Sequence, residues 1–180
     1  VAAAVLALTL LVAGCGGSGG DPASGEVDLS DPRAGEPSPS GRALLGGFTE
    51  VRVVVTRADG STEAFCLLLA DDPDEWARGL MEVVDLGDHA GMAFVFPEDR
   101  TGSFFMRNTP LPLSIAFLDG DGMLVSATDM DPCEDRDGCP TYAAAGPYRI
   151  AVEVPQGDLT TLGLDEPEAS LELGGGCDPV

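Results

Sequence analysis

From Phe48 onward the chain is written in short apolar runs cut apart by Gly, Pro and Asp, and that punctuation favours strands over helices. Val51, Val53 and Val55 alternate with Arg52, Val54 and Thr56, a period of two that predicts a strand. Ala58-Asp59-Gly60 predicts a turn, and Thr62–Ala70 the second arm of a hairpin. Met92–Pro97, Ser103–Arg107, Leu113–Leu118, Met123–Asp129, Tyr148–Val154 and a run near Ala169–Leu173 read as further strands. Between Leu118 and Met123, Asp119-Gly120-Asp121-Gly122 predicts a hairpin turn. One helix interrupts the pattern. Asp72 is its N-cap, Pro73 its first residue, and Asp74 and Glu75 complement its dipole. It is expected to reach about Met81, with Trp76, Leu80 and Met81 on its buried side. The expected fold is α+β, mainly β: a compact barrel-like or strongly curled antiparallel sheet with one short helix.

The segment before Phe48 has a different texture. Ala2–Ala13 is uncharged and apolar; as a helix it would span about 18 Å, short of a hydrocarbon core of about 30 Å but suited to a signal h-region. It ends in Leu11-Val12-Ala13-Gly14-Cys15, which resembles a bacterial lipobox. That resemblance implies a signal peptide over residues 1–14, cleavage before Cys15, and acylation of the Cys15 thiol as a membrane anchor. Gly16 to about Gly47 is rich in Gly, Pro, Ser and Asp, the composition of a flexible linker, so the domain is expected over residues 48–180.

Charge narrows the partners. The chain carries 31 acidic against 9 basic side chains, a formal net charge of −22, and every base is arginine. Nucleic acid is excluded as a partner, because phosphate binding needs clustered cations. Adhesion to anionic lipid is excluded as well, so attachment must be hydrophobic or covalent. The expected location is extracytoplasmic, held to the membrane by lipid at Cys15.

Several blocks in the central third carry a resemblance. Arg78-Gly79-Leu80-Met81, Gly91-Met92-Ala93-Phe94-Val95-Phe96 and Phe104-Phe105-Met106-Arg107-Asn108-Thr109 occur in that order. Pro112-Leu113-Ser114-Ile115-Ala116-Phe117, the Asp119–Gly122 turn, Met130-Asp131-Pro132-Cys133 and Cys139-Pro140-Thr141-Tyr142 follow. Together these blocks resemble the bacterial and archaeal family known as domain of unknown function 192, over about Val51 to Leu173. The resemblance implies a compact β-rich domain with a short helix, often exported, and implies no reaction. This chain departs from the family pattern at Phe105, where Trp is common, and at Ser114, where Asp is common.

Four cysteines remain after Cys15: Cys66, Cys133, Cys139 and Cys177. An even number in an exported domain predicts disulfides, with three connectivities open. Cys133 and Cys139 are the obvious local pair, which leaves Cys66 for Cys177. A zinc site would need closely spaced ligand pairs, and the chain has no C-x-x-C and a single histidine, so no metal or cofactor is expected.

Three segments are candidates for chemistry. His89, beside Asp88, has the type of a general base but no nucleophile placed by a motif, which favours a solvated turn residue. Asp129, Asp131, Glu134, Asp135 and Asp137, with Asp119 and Asp121, offer oxygen ligands without EF-hand spacing, which favours a solvated acidic surface over calcium. In Phe104–Thr109, Phe104 and Met106 share one strand face and Phe105 and Arg107 the other. Phe105, Arg107 and Asn108 are therefore the candidate ligand-binding residues, a ring beside planar polar groups suited to a sugar or a carboxylate. The alternative for the same residues is burial of both rings, pairing of Arg107 with an acid, and capping by Asn108. The expected function is a non-catalytic ligand-binding or accessory module of the cell envelope, recognising a small ligand, glycan or protein. The alternatives are a carboxylate-dependent hydrolase and a structural or assembly protein.

Overall fold

Alternation along the strands sorts the apolar side chains onto two faces of one sheet. The computed structural model describes residues 38–179. The signal segment, Cys15 and most of the expected linker lie outside the described residues. Among the described residues nine strands form: β1 (Thr49–Thr56), β2 (Thr62–Ala70), β3 (Met92–Arg100), β4 (Ser103–Phe105), β5 (Leu113–Leu118), β6 (Leu124–Met130), β7 (Thr141–Ala143), β8 (Tyr148–Pro155) and β9 (Ser170–Leu173). Two helices accompany them, α1 (Pro73–Arg78) and α2 (Asp158–Leu162).

Seven strands form one sheet in the order β6-β5-β8-β3-β2-β1-β9, and β4 pairs with β7 in a separate ribbon. The barrel-like or strongly curled antiparallel sheet expected from the strand count is not what forms. The ladder stays open, and its two ends meet at an isolated bridge from Met123 to Ser170. It is also mixed, because β2 and β3 run parallel while the other pairs run antiparallel. A parallel pair needs a crossover, and α1 with the loop after it supplies one.

Both faces of the sheet are covered, which explains why every residue of β5 is buried. One face carries Met92, Phe94, Phe96, Ile115, Phe117 and Ala151 under α1 and the β4–β7 ribbon. The other carries Val53, Val55, Ala93, Ala116, Val152 and Val154 under Leu159 and Leu162 of α2. Neither α2 nor the three-residue β7 was expected from the sequence. Both are too short to show a periodic pattern.

Helix α1 begins as expected, with the Asp72 carboxylate accepting from the Asp74 and Glu75 N–H groups at 2.9 and 3.0 Å. It stops at Arg78, three residues before Met81, because Gly79 takes φ 49°. A Cβ there would lie 3.1 Å from the Phe94 ring, so close packing and backbone conformation both favour glycine.

The two expected disulfides are present, Cys133–Cys139 and Cys66–Cys177, with Cα separations of 6.0 and 5.5 Å. The end of the expected linker belongs to the packed structure: Ser38 and Ser40 are buried and share a hydrogen bond of 2.7 Å.

Candidate functional site

The aromatic face of the sheet opens into a pocket of about 150 Å³ between α1, β3, β4 and β8. Its walls are rings. Trp76 lies 5.0 Å from Phe96, Phe104 meets Phe94 edge-on at 5.0 Å, and Tyr148 stands 5.8 Å from Phe96 between ring centroids. The Trp76 indole N–H donates to the Ala70 carbonyl at 3.0 Å, and the Tyr148 hydroxyl to the Gly102 carbonyl at 3.3 Å. These bonds tie the polar ends of two rings to the backbone and leave their apolar surfaces for packing.

At the base lies Glu153. Register places it opposite Met92 of β3 and Ile115 of β5, so both neighbouring strands cover its backbone. It is 4% exposed, and among the described residues no side chain or backbone group hydrogen-bonds its carboxyl. Burial alone pushes its pKa up to about 8, because a carboxylate without partners in apolar surroundings is costly. Near neutral pH Glu153 is predominantly the carboxylic acid, a hydrogen-bond donor at the bottom of an aromatic pocket. Close approach here depends on Gly91, where a Cβ would fall 2.1 Å from the Glu153 carbonyl oxygen.

Two arginines line the same pocket, Arg78 as the last residue of α1 and Arg100 at the end of β3. The Arg78 guanidinium sits 4.1 Å over the Phe48 ring, and that of Arg100 4.7 Å over Phe96 and 5.5 Å over Trp76. Among the described residues neither has a carboxylate within ion-pair distance, nor do Arg42 and Arg136, whereas Arg52, Arg57, Arg107 and Arg149 do. Arg100 thus rests on two rings of the pocket wall, whereas the Phe48 ring under Arg78 lies outside that wall.

The residues singled out from sequence do not come together. Phe105 is 46% exposed and lines the pocket. Arg107 points elsewhere: its Nε donates to Asp135 at 2.6 Å, and Asp137 lies 3.8 Å away. Asn108, with φ 57°, donates from its amide to Glu82 at 3.1 Å and borders a separate groove. Phe104 packs into the ring cluster and Met106 is 1% exposed, so that face of the segment is the inward one.

Within the acidic loop Asp135 and Asp137 lie against Arg107 and Asp129 accepts from the Ser114 hydroxyl, while Asp131 and Glu134 are exposed. Asp119 accepts from the Asp121 and Met123 N–H groups, each at 2.9 Å, and thereby shapes the turn. His89 is not solvated as expected; it is buried, away from the pocket, with Glu50 3.2 Å from its Nε2. Glu153 is the residue sequence reasoning missed. Its signal was an acid set between Val152 and Val154 within an apolar strand, Ile150 to Val154.

Comparison with known proteins supports the fold. A solved structure from Novosphingobium aromaticivorans DSM 12444, a protein of unknown function, is 29% identical with a TM-score of 0.62 over 83% of this chain and 99% of its own. A protein from Sinorhizobium meliloti 1021, named provisionally as a transcription regulator, is also 29% identical, with a TM-score of 0.60 over 70% of this chain and 95% of its own. No curated protein matches the chain. A family profile, described as Uncharacterized ACR, COG1430, matches residues 54–169, a span that holds strands β2 to β8, the pocket and Glu153. The chain belongs to that family, domain of unknown function 192.

Proposed function

We propose that this domain is a ligand-binding module for a small organic anion. The observation that carries the reading is one buried carboxyl, Glu153, in the same aromatic pocket as two guanidiniums, Arg78 and Arg100, that have no ion-pair partner among the described residues. An arginine offers planar paired donors that match a carboxylate. The rings accept a flat or apolar body, and the Glu153 O–H donates to an acceptor at the far end.

Size sets the class. A cavity near 150 Å³ is what benzene fills, so the ligand body has roughly six to ten non-hydrogen atoms. A substituted aromatic or short-chain carboxylate fits that description; a long glycan or a folded partner does not enter.

The hydrolase reading draws less support. A carboxylate-dependent glycosidase uses two facing carboxyls about 5–10 Å apart, and among the described residues Glu153 is the single carboxyl lining this pocket. In the preferred reading the lipobox at Cys15 holds the module on the outer side of a membrane, and the acidic surface keeps neighbouring copies apart.

The test is a thermal-shift comparison of matched probes: benzoate against benzylamine, and succinate against 1,4-diaminobutane. Binding to the native state alone adds about 2.7 kcal/mol at a hundredfold excess over the dissociation constant. The reading expects the anions to raise the midpoint and the amines to leave it unchanged. Equal shifts with the amines, or none with any carboxylate, would contradict it.

A further inference from the structure

Away from the pocket, Glu50, Cys66 and His89 bring a carboxylate oxygen, a sulfur and an imidazole nitrogen within 4.8 Å of one another. Among the described residues no other His, Cys and acid set does so. The topology explains the meeting. Glu50 stands opposite Leu68 and Arg52 opposite Cys66, so Glu50 and Cys66 are diagonal neighbours on one face of the β1–β2 ladder. His89 arrives on the other flank of β2, where the Ala90 N–H donates to the Cys66 carbonyl at 2.9 Å.

The donors are prepared for a cation. The His89 and Glu50 side chains are 1% and 5% exposed. His89 Nδ1 lies 3.4 Å from the Leu86 carbonyl, and a proton shared there leaves the Nε2 lone pair facing the cluster, the usual way a ligating imidazole is oriented. Burial raises the pKa of Glu50, but contacts with Ser40, Ser38 and His89 outweigh it and hold the carboxyl below its ordinary value. The two spacings to the Glu50 oxygen also fit. Cys66 Sγ to Glu50 Oε2 is 3.6 Å, and His89 Nε2 to the same oxygen is 3.2 Å. Tetrahedral zinc, with bonds of about 2.3 Å to sulfur and about 2.0–2.1 Å to nitrogen and oxygen, has corresponding edges of about 3.5 and about 3.3 Å.

In the oxidised chain Cys66 is bonded to Cys177 and offers no thiolate. That disulfide borders a surface opening of about 80 Å³ lined also by Arg42, Arg52 and Phe65. The opening gives an attacking thiolate a way in; Arg42 beside it favours the thiolates that reduction releases, while Asp178, paired with Arg52, offsets part of that charge.

We propose that Cys66, His89 and Glu50, joined by Cys177 as fourth donor, form a redox-gated site for a thiophilic divalent cation such as zinc. A dithiol reductant opens it. The reductant gives two electrons and two protons to the S–S bond and becomes a disulfide itself, leaving two thiols on Cys66 and Cys177. The cation then displaces both thiol protons to solvent and takes the two thiolates, the His89 Nε2 lone pair and the Glu50 carboxylate.

The experiment titrates Co²⁺ into the full chain with and without tris(carboxyethyl)phosphine, followed by Zn²⁺ competition. The proposal expects one cobalt per reduced chain, with a thiolate charge-transfer band and tetrahedral d–d bands, and none for the oxidised chain. Cys66→Ser should abolish the band and Cys139→Ser should keep it, which separates this site from the other disulfide. His89→Gln should weaken binding by more than the roughly 10–100-fold typical of losing an outer-shell partner. Circular dichroism on the same samples covers unfolding. A reduced chain that stays folded without taking up metal overturns the proposal. So does a reduced chain that unfolds and is not restored by zinc, because binding energy at such a site is folding energy.

Discussion

Glu153 of β8 stands directly across the antiparallel ladder from Met92 of β3, a register that turns its carboxyl toward the face bearing Phe94 and Ala151. A shift of one residue would send that acid to the opposite face, among Val152, Val154 and Leu159. The first prediction follows from this burial. Glu153 ionises at about 8 when folded and near 4.5 when unfolded, so the native state holds the proton more tightly. Its contribution to stability is complete below pH 4.5 and is lost as pH rises towards and through 8. The whole loss is on the order of 5 kcal/mol. Glu153→Gln keeps the shape without the ionisation, and urea denaturation from pH 5 to 9 should show a flatter profile for the variant than for the wild type.

Gly91 sets how closely β3 approaches β8. Its replacement by Ala would force a Cβ to 2.1 Å from the Glu153 carbonyl, a contact only backbone movement can relieve. Gly91→Ala is expected to cost more than about 3 kcal/mol, read as a lowered urea midpoint. A change below about 0.5 kcal/mol would mean the strands have slack there.

The disulfides close loops of different length, with sequence separations of 111 and 6. Loop-closure entropy then assigns roughly 5 kcal/mol to Cys66–Cys177 and roughly 2 kcal/mol to Cys133–Cys139. Cys177→Ser should therefore lower the denaturation midpoint more than Cys139→Ser. The reverse order would place most of the contribution in the native contacts of the acidic loop.

Much of the fold was legible because it was local. The Val51–Val53–Val55 alternation and the Asp72-Pro73 start each specify their element within a few residues. Sheet order was not legible, since the parallel pairing of β2 with β3 depends on how the chain crosses after α1. The site was read in part. Phe105 reaches the pocket, whereas Arg107 is captured by Asp135, a partner 28 positions away that strand periodicity does not identify. Glu153 went unnoticed because an acid in a short strand looks solvent-facing until both neighbouring strands are placed. Arg78 and Arg100 were unremarkable as letters. Their significance lies in their meeting at one pocket without an ion-pair partner among the described residues, which only the fold reveals.

Arg100 provides a test of the pocket that leaves the core intact. Arg100→Met keeps an apolar side chain over Phe96 and removes the charge. It should weaken benzoate binding by about tenfold or more, the effect of roughly 1.4 kcal/mol from one charged hydrogen bond, with little change in the unliganded melting temperature.

The most direct measurement is calorimetric titration of benzoate into the wild type, Arg78→Ala and Glu153→Gln at pH 6 and pH 9. The account predicts binding by the wild type at pH 6, weakening at pH 9 as Glu153 ionises and repels the anion. Loss of binding in Arg78→Ala and pH-independent binding in Glu153→Gln complete the prediction. Wild-type binding that is equal at both pH values, or that survives Arg78→Ala unchanged, would contradict it.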